Sequence, residues 1–214
     1  MRKPRSKRSA PGKPACADCL LHQLCPGYTD REIDELAGAI VLRRRALAPG
    51  TVLYRAGDVF STVYVVHMGA LKGYEVNAEG RERISALFLP GELLGLDGFH
   101  TGVYTCNTAA LVDADVCELD LDRIERQSDR QWEFVRVMSK VVSDQKRRLM
   151  VNRLDPEPRV LEVLRDICAR LSLNPEKLSA ADLPISREDL ASYADVPAES
   201  VDRVFQQLGV DPAG

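Results

Sequence analysis

The stretch that runs from residue 64 to residue 84 reads YVVHMGALKGYEVNAEGRERI. Apolar and polar residues alternate along it, and Gly69 and Gly80 interrupt the alternation. Alternation of period two is typical of β-strands with one buried face, and glycine supplies the positive backbone angles of tight turns. The stretch therefore predicts short antiparallel strands joined by tight turns.

The same pattern extends over residues 38–121. Turn glycines and Pro-Gly pairs recur through this region, at Gly50, Gly57, Gly69, Gly80, Gly91 and Gly95. Many short strands separated by turn signals are typical of an antiparallel sandwich or jelly roll. We therefore expect a jelly-roll domain between residues 38 and 121, within a chain of the α+β class.

Helical periodicity replaces the alternation after Asp122. Apolar residues fall at helical spacing in residues 130–153, and neither glycine nor proline interrupts them before Pro156. One long helix is therefore predicted. Asp144 and Arg148 interrupt its apolar seam, and a wholly buried helix rarely holds such charges. We expect this face to pack weakly or against a partner chain.

Residues 156–209 predict an amphipathic helix followed by two short helices about a tight turn. In PISREDLASYADVPAESVDRVFQQLG, residues 184–209, Ser186 is placed to cap the first short helix, with Asp189 in the capping-box position. Asp195 stands where the turn needs left-handed backbone. Helix–turn–helix is a unit that reads DNA, but any αα-hairpin gives the same pattern.

The charge is unevenly distributed. The net charge is −3, yet the first 14 residues carry six cations and no anion, leaving 23 cations against 32 anions in the rest. Such a basic tail is typical either of nucleic-acid contact or of a merely solvated segment. The chain offers no apolar run for a membrane span or a secretory signal, so a cytoplasmic protein without membrane contact is expected.

Three cysteines lie within ten residues, at Cys16, Cys19 and Cys25. In a reducing compartment this spacing indicates a metal or cluster site, because a tight turn directs neighbouring thiolates at one centre. His22 could complete a zinc site without help from elsewhere. An iron–sulfur cluster would need a fourth thiolate, for which the chain offers Cys106, Cys117 and Cys168. Spacing alone leaves both centres open. No motif for catalysis stands out, so an enzyme is not expected.

The order of these regions resembles that of the CRP/FNR transcription regulators, and most closely the oxygen-sensing FNR branch. The resemblance covers residues 15–209 and is carried by CADCLLHQLC, LYRAGD, PGELLGLDG, DADVCELDL and SREDLASYADVPAESVDRV. It implies five regions: a basic tail (1–14), a cysteine-rich arm and helix (15–37), a sensory jelly roll (38–121), a dimerisation helix region (122–155) and a helix-turn-helix DNA-binding domain (156–214).

The resemblance also implies a function. In the FNR branch three arm cysteines and one on a late strand hold a [4Fe–4S] cluster, and His22 is then a bystander. Oxygen or nitric oxide would attack the cluster and release the arm, and the homodimer would bind palindromic DNA and RNA polymerase. The implied ligands are Cys16, Cys19, Cys25 and Cys117, and the implied dimer interface is Phe134, Met138, Val141, Asp144 and Arg148.

The chain departs from the family pattern at several points. The recognition signature Glu-x-x-Ser-Arg is matched by Glu199 and Arg203, but Asp202 replaces the serine. No arginine or lysine lies between Arg83 and Arg123, so cAMP is not expected to bind, and Glu92 is left with a structural role in its turn.

The sequence ends five residues beyond Gly209, where family members continue into a β wing, so an incomplete wing is expected. Residues 183–214 also hold two cations against six acids, an unusual balance for a phosphate-binding surface. Two functions therefore remain open. One is a sequence-specific regulator, and the other is a gas-responsive, redox-responsive or zinc-containing relative that acts through protein partners instead of DNA.

Overall fold

The computed structural model describes residues 41–126, 131–174 and 178–210. The basic tail and the cysteine-rich arm lie outside these residues. The first described segment holds eight strands: β1 (Val41–Leu47), β2 (Val52–Tyr54), β3 (Tyr64–Met68), β4 (Leu71–Val76), β5 (Glu82–Phe88), β6 (Leu93–Leu94), β7 (Asn107–Ala110) and β8 (Ala114–Leu119).

The strands form two antiparallel four-stranded sheets, which confirms the predicted jelly roll. The strand order is β1-β8-β3-β6 in the first sheet and β2-β7-β4-β5 in the second. Tight turns between strands use glycine as the sequence predicts. At Gly69, between β3 and β4, the φ angle is +82° and a Cβ atom would lie 2.3 Å from the carbonyl oxygen of Asp113. A side chain at Gly69 would therefore break the turn.

The helices follow the strands in the chain, apart from one single-turn helix between β6 and β7. They are α1 (Gly98–Thr101), α2 (Leu121–Arg126), α3 (Gln131–Val151), α4 (Pro156–Arg170), α5 (Arg187–Ala194) and α6 (Ala198–Gln207). Helix α3 is the predicted long helix. It ends before Pro156, which begins α4 at a position where a missing N–H group costs nothing.

Three apolar layers hold these elements together. The first fills the interior between the two sheets, with Val66, Leu71 and Val116 at 1% exposure or less. A second layer lies between the outer face of the first sheet and α3. The third joins the end of β5 and its neighbours to α4, α5 and α6. The C-terminal helices therefore pack on the sandwich through an apolar layer that includes Leu87 and Leu89.

Candidate metal centre and nucleic-acid interface

Cys117 lies on β8, between β1 and β3 of the first sheet. Side chains alternate along this strand: Ala114 and Val116 face the sandwich interior, while Cys117 and Leu119 belong to the layer under α3. Cys117 is 9% exposed and shares that layer with Val137 of α3. A group bound to its sulfur would therefore lie against the long helix and not inside the sandwich.

Two other described cysteines lie elsewhere. Cys168 of α4 is fully buried in the core of the C-terminal helices, and burial, assisted by the charge of Asp182, raises the pKa of its thiol. Cys106 precedes β7, and burial together with the charge of Asp97 raises the pKa of its thiol to about 11. Neither side chain belongs to the layer under α3 that contains Cys117.

The other ligands that the sequence predicts, Cys16, Cys19 and Cys25, lie outside the described residues, as does His22 of the zinc alternative. Within the part of the chain that the structure describes, no group of three or more His, Cys, Asp or Glu side chains could hold a metal ion. The described residues thus contribute Cys117 to the predicted ligand set. A sulfur donor in apolar surroundings fits an iron–sulfur cluster, whose bonds are made to thiolates.

One face of α3 packs on the first sheet and contains several residues of the predicted dimer interface. Val137 is 5% exposed, and Met138 and Val141 pack at the margin of the layer that contains Cys117. Burying these side chains supplies the apolar contact that holds α3 in place. The helix is therefore a direct neighbour of the predicted cysteine ligand.

The polar members of the predicted interface have partners within the chain. Asp144 accepts a hydrogen bond from the Lys140 ammonium at 2.9 Å, one helical turn away. A guanidinium nitrogen of Arg148 lies 3.9 Å from a carboxylate oxygen of Glu92. Phe134 belongs to α3, but its side chain lies outside what the structure describes.

A second face of α3 carries apolar side chains in water. Val135, Val142 and Leu149 are spaced by seven residues and are 52%, 64% and 67% exposed, respectively. A seven-residue apolar repeat is the pattern along which two helices pack against each other. The strip differs from the predicted seam, which runs through Phe134 and Val141, each one residue earlier in the chain.

Glu92 and Arg170 form the most buried ion pair between the sandwich and the C-terminal helices in the described chain. Burial lowers the pKa of Arg170, but the charge of Glu92 outweighs it, so the net shift is upward. Arg170 also donates to the carbonyl oxygen of Leu87 at 2.6 Å, and Glu92 accepts from the amide of Leu89 at 3.1 Å. Nothing in the local sequence identifies Arg170 as the partner of a turn residue 78 positions earlier.

Helices α5 and α6 enclose the predicted tight turn. The hydroxyl of Ser186 accepts from the amide of Asp189 at 3.0 Å and caps α5. Asp195 ends α5 with φ 53° and ψ 52°, the left-handed conformation that the sequence requires there. Val201 and Phe205 of α6 are buried against Leu190, so the pair has its own packed contact.

The predicted DNA-reading residues lie on the exposed face of α6. Glu199 is exposed, and Asp202 and Arg203 have side chains 51% and 54% exposed. Asp202 accepts from Arg187 of α5 at 3.0 Å, while Arg203 pairs with Glu157 of α4 at 2.5 Å. The structure thus brings the three residues to one surface, where two of them are held by internal ion pairs.

Helix α5 is attached to the edge of the second sheet. The amide of Ile84 on β5 donates to the hydroxyl of Ser192 at 3.0 Å. Ion pairs flank this contact on both sides: Lys72 lies 3.3 Å from Asp189, and Arg83 lies 3.2 Å from Asp195. An edge strand leaves backbone groups unpaired, and α5 satisfies one of them. These contacts fix the orientation of the C-terminal helices on the sandwich.

Comparison with known proteins identifies the class to which this fold belongs. Residues 44–131 match the cyclic nucleotide-binding domain family. The structure superimposes on that of FixK2 from Bradyrhizobium japonicum with a TM-score of 0.64, at 22% identity, covering 78% of this chain and 84% of the other. This likeness supports the fold: an antiparallel β-sandwich followed by helices.

Sequence relatives place the chain more narrowly. It is 33% identical to the transcriptional activator protein FnrA of Stutzerimonas stutzeri over 199 residues, covering 90% of this chain and 82% of that protein. It is 32% identical to the transcriptional activator protein anr of Pseudomonas aeruginosa, with the same coverage. The chain belongs to the FNR branch of the CRP/FNR family, whose members are transcription regulators and not enzymes. None of its described helices is both long and apolar enough to cross a membrane.

Proposed function

We propose that this protein is a DNA-binding transcription regulator that senses oxygen or nitric oxide through a [4Fe–4S] cluster. The proposed ligands are Cys16, Cys19, Cys25 and Cys117. The observation that carries the proposal is the position of Cys117, which shares one packed layer with Val137 of α3. A change at the sulfur therefore reaches the long helix without any intermediate element.

The cluster, when bound, supplies iron–sulfide chemistry that oxygen and nitric oxide attack. Ligands in the arm and on β8 would close a loop of about 90 residues. Metal–thiolate bonds would offset the conformational entropy lost when this loop closes. Cys117 fixes the attachment point on the sheet, because it lies on a strand paired on both sides. Loss of the bond to Cys117 would end the link between the arm and the layer that contains Val137 of α3.

We further propose that two copies of the chain associate along α3. The exposed strip of Val135, Val142 and Leu149 supplies the apolar contact, and the predicted interface residue Met138 lies beside it. The predicted interface residues Val141, Asp144 and Arg148 lie away from this strip: Val141 packs on the layer that contains Cys117, and Asp144 and Arg148 pair with Lys140 and Glu92. The sheet-facing side of the same helix contacts Cys117 through Val137, so the helix links the sulfur to the strip. A coupling of a few kcal/mol is the usual scale of such switches.

In the proposed dimer α6 is the recognition helix, and two copies would lie one DNA turn apart on a palindrome. Glu199 can accept from cytosine, and Arg203 can donate to guanine or phosphate. Binding to RNA polymerase belongs to the same proposal. The proposal does not include binding of a cyclic nucleotide. Glu92 is paired with Arg170, and no arginine or lysine lies between Arg83 and Arg123 to bind the phosphate.

Selection from a pool of random duplexes, run anaerobically and repeated after exposure to air, tests this function. The expected result is a palindromic sequence enriched anaerobically, with enrichment lost in air. If neither condition enriches a sequence, the regulator proposal is wrong.

A second candidate function is regulation through a protein partner without DNA. It is favoured by the acidity of the α5–α6 surface, where residues 183–210 hold five acids against two arginines. Metal analysis of the same preparation separates the cluster from zinc. Zinc without sulfide, lost in His22→Ala but kept in Cys117→Ser, would show the alternative site.

A further inference from the structure

An acidic side chain lies on the exposed face of α6. Asp202 is in the second turn of this helix, three residues after Glu199 and next to Arg203. Residues three or four apart are neighbours on a helix surface, so Glu199 adjoins both of the others. The side chain of Asp202 is 51% exposed. A duplex that docks on this face of α6 therefore meets the Asp202 carboxylate.

Arg187, the first residue of α5, holds this carboxylate in place. Its Nη1 donates to Oδ1 of Asp202 at 3.0 Å. Its guanidinium lies 4.8 Å from the ring centre of Phe205, a side chain that is 2% exposed. The guanidinium is thus held by a buried ring and in turn orients Asp202. A carboxylate that is fixed in advance loses less conformational entropy when its partner binds.

The other carboxylate oxygen of Asp202 is available to a partner. Oδ2 accepts no hydrogen bond from the residues that the structure describes, and an ionised carboxylate only accepts. The positive charge of Arg187 offsets the negative charge of Asp202, so the repulsion between this pair and the DNA phosphates is smaller than for a lone carboxylate. Asp202 therefore presents a hydrogen-bond acceptor to a base edge without adding net charge there.

The chemistry of the major groove selects one base for such an acceptor. Cytosine presents the N4 amino donor, whereas guanine presents the acceptors O6 and N7 and thymine presents the acceptor O4. Adenine has an amino donor too, but its N7 acceptor lies beside it and repels a carboxylate. Cytosine is therefore the base that fits the free oxygen of Asp202.

We propose that Asp202 reads a cytosine in each half-site and that Arg187 is the positioning residue that orients it. This inference rests on the proposed function and names the sequence that α6 selects. In the proposed function Glu199 accepts from cytosine as well, one helical turn away. The preferred half-site then contains cytosine at two positions, of which one depends on Asp202.

The test repeats the anaerobic selection with four full-length proteins: the native chain, Asp202→Asn, Arg187→Met and the control Asp195→Asn. Asp195 is another exposed carboxylate of the α5–α6 surface, but it lies on the turn and pairs with Arg83. Asparagine binds adenine through N6 and N7. Asp202→Asn is therefore expected to select adenine in place of cytosine at one position of each half-site, with the other positions unchanged. Asp195→Asn should select the native sequence.

Fluorescence anisotropy on the native palindrome then measures the contact. Exchange of that cytosine for thymine in both half-sites should weaken binding of the native chain about 10-fold or more, but binding of Arg187→Met by less than about threefold.

An unchanged base preference in Asp202→Asn would overturn the reading of cytosine. A loss of affinity in Arg187→Met that leaves the native preference for cytosine intact would overturn the positioning role, because it would show a structural role alone. Failure of the proposed function is a separate result, in which the native chain enriches no sequence at all.

Discussion

Arg170 donates two hydrogen bonds to the Glu92 carboxylate, with Nε 2.8 Å from one oxygen and Nη2 2.6 Å from the other. The two residues come from different parts of the protein: Glu92 from the turn before β6, and Arg170 from the last turn of α4. Their side chains are 22% and 12% exposed. Because Arg148 at the end of α3 approaches the same carboxylate, Glu92 joins the sandwich, the long helix and the C-terminal helices.

Arg170→Met should therefore destabilise the protein. The substitution leaves the Glu92 carboxylate partly buried without its main partner, and breaking such a pair costs about 3 kcal/mol. Denaturant unfolding of the air-exposed chain measures this loss. Arg165→Met is the matched control on the same helix, since its pair with Glu162 is more exposed and should change the unfolding free energy by less than about 1 kcal/mol. Equal losses in both variants would refute the role given to Glu92.

Val142→Glu should shift the anaerobic protein from dimer to monomer. The substitution places two carboxylates in the centre of the proposed apolar strip, where like charges repel and must be desolvated. Sedimentation velocity is expected to show at least a tenfold rise in the dimer dissociation constant. Ser143→Glu, one residue along on an exposed position, is the control and should leave the constant within about twofold. If Val142→Glu remains as dimeric as the native chain, the strip is not the interface.

Glu157→Gln should strengthen DNA binding. It removes the carboxylate that competes with phosphate for Arg203, and an exposed pair of this kind is worth about 0.2–1 kcal/mol. We expect affinity to rise about 2- to 5-fold for each half-site, measured on the enriched palindrome. Glu162→Gln removes the same charge from α4 but frees Arg165 and not Arg203, so it serves as the control. A rise of the same size in both would show a general charge effect instead.

Alternation and turn glycines were sufficient to predict the sandwich, because the β period fixes which side chains face inward and Gly69 has no substitute at its turn. The left-handed turn at Asp195 could also be predicted, because the residues next to it determine the turn. Contacts between distant segments could not be predicted from the local sequence. The pairing of Glu92 with Arg170 depends on how α4 docks on the sandwich, and the pairing of Asp202 with Arg187 depends on how α6 packs against α5. No local pattern encodes either contact.

The sequence also could not predict which face of α3 packs on the sheet. The apolar residues of this helix point to two faces, one toward the sheet and one toward water, and the sequence does not say which face meets which neighbour. Val137 and Val142 are equally apolar, yet one is 5% exposed and the other 64%. Only the position of the sheet separates the face that contacts Cys117 from the face left for a partner.

In the proposed switch, Cys117 is the ligand that connects the arm to α3. Iron and acid-labile sulfide, with absorbance near 400 nm, should therefore be measured on anaerobically prepared native chain, Cys117→Ser and the control Cys106→Ser. We predict that the native chain and Cys106→Ser carry the cluster and that Cys117→Ser has lost it. A full complement of iron and sulfide in Cys117→Ser, with unchanged absorbance, would contradict the account.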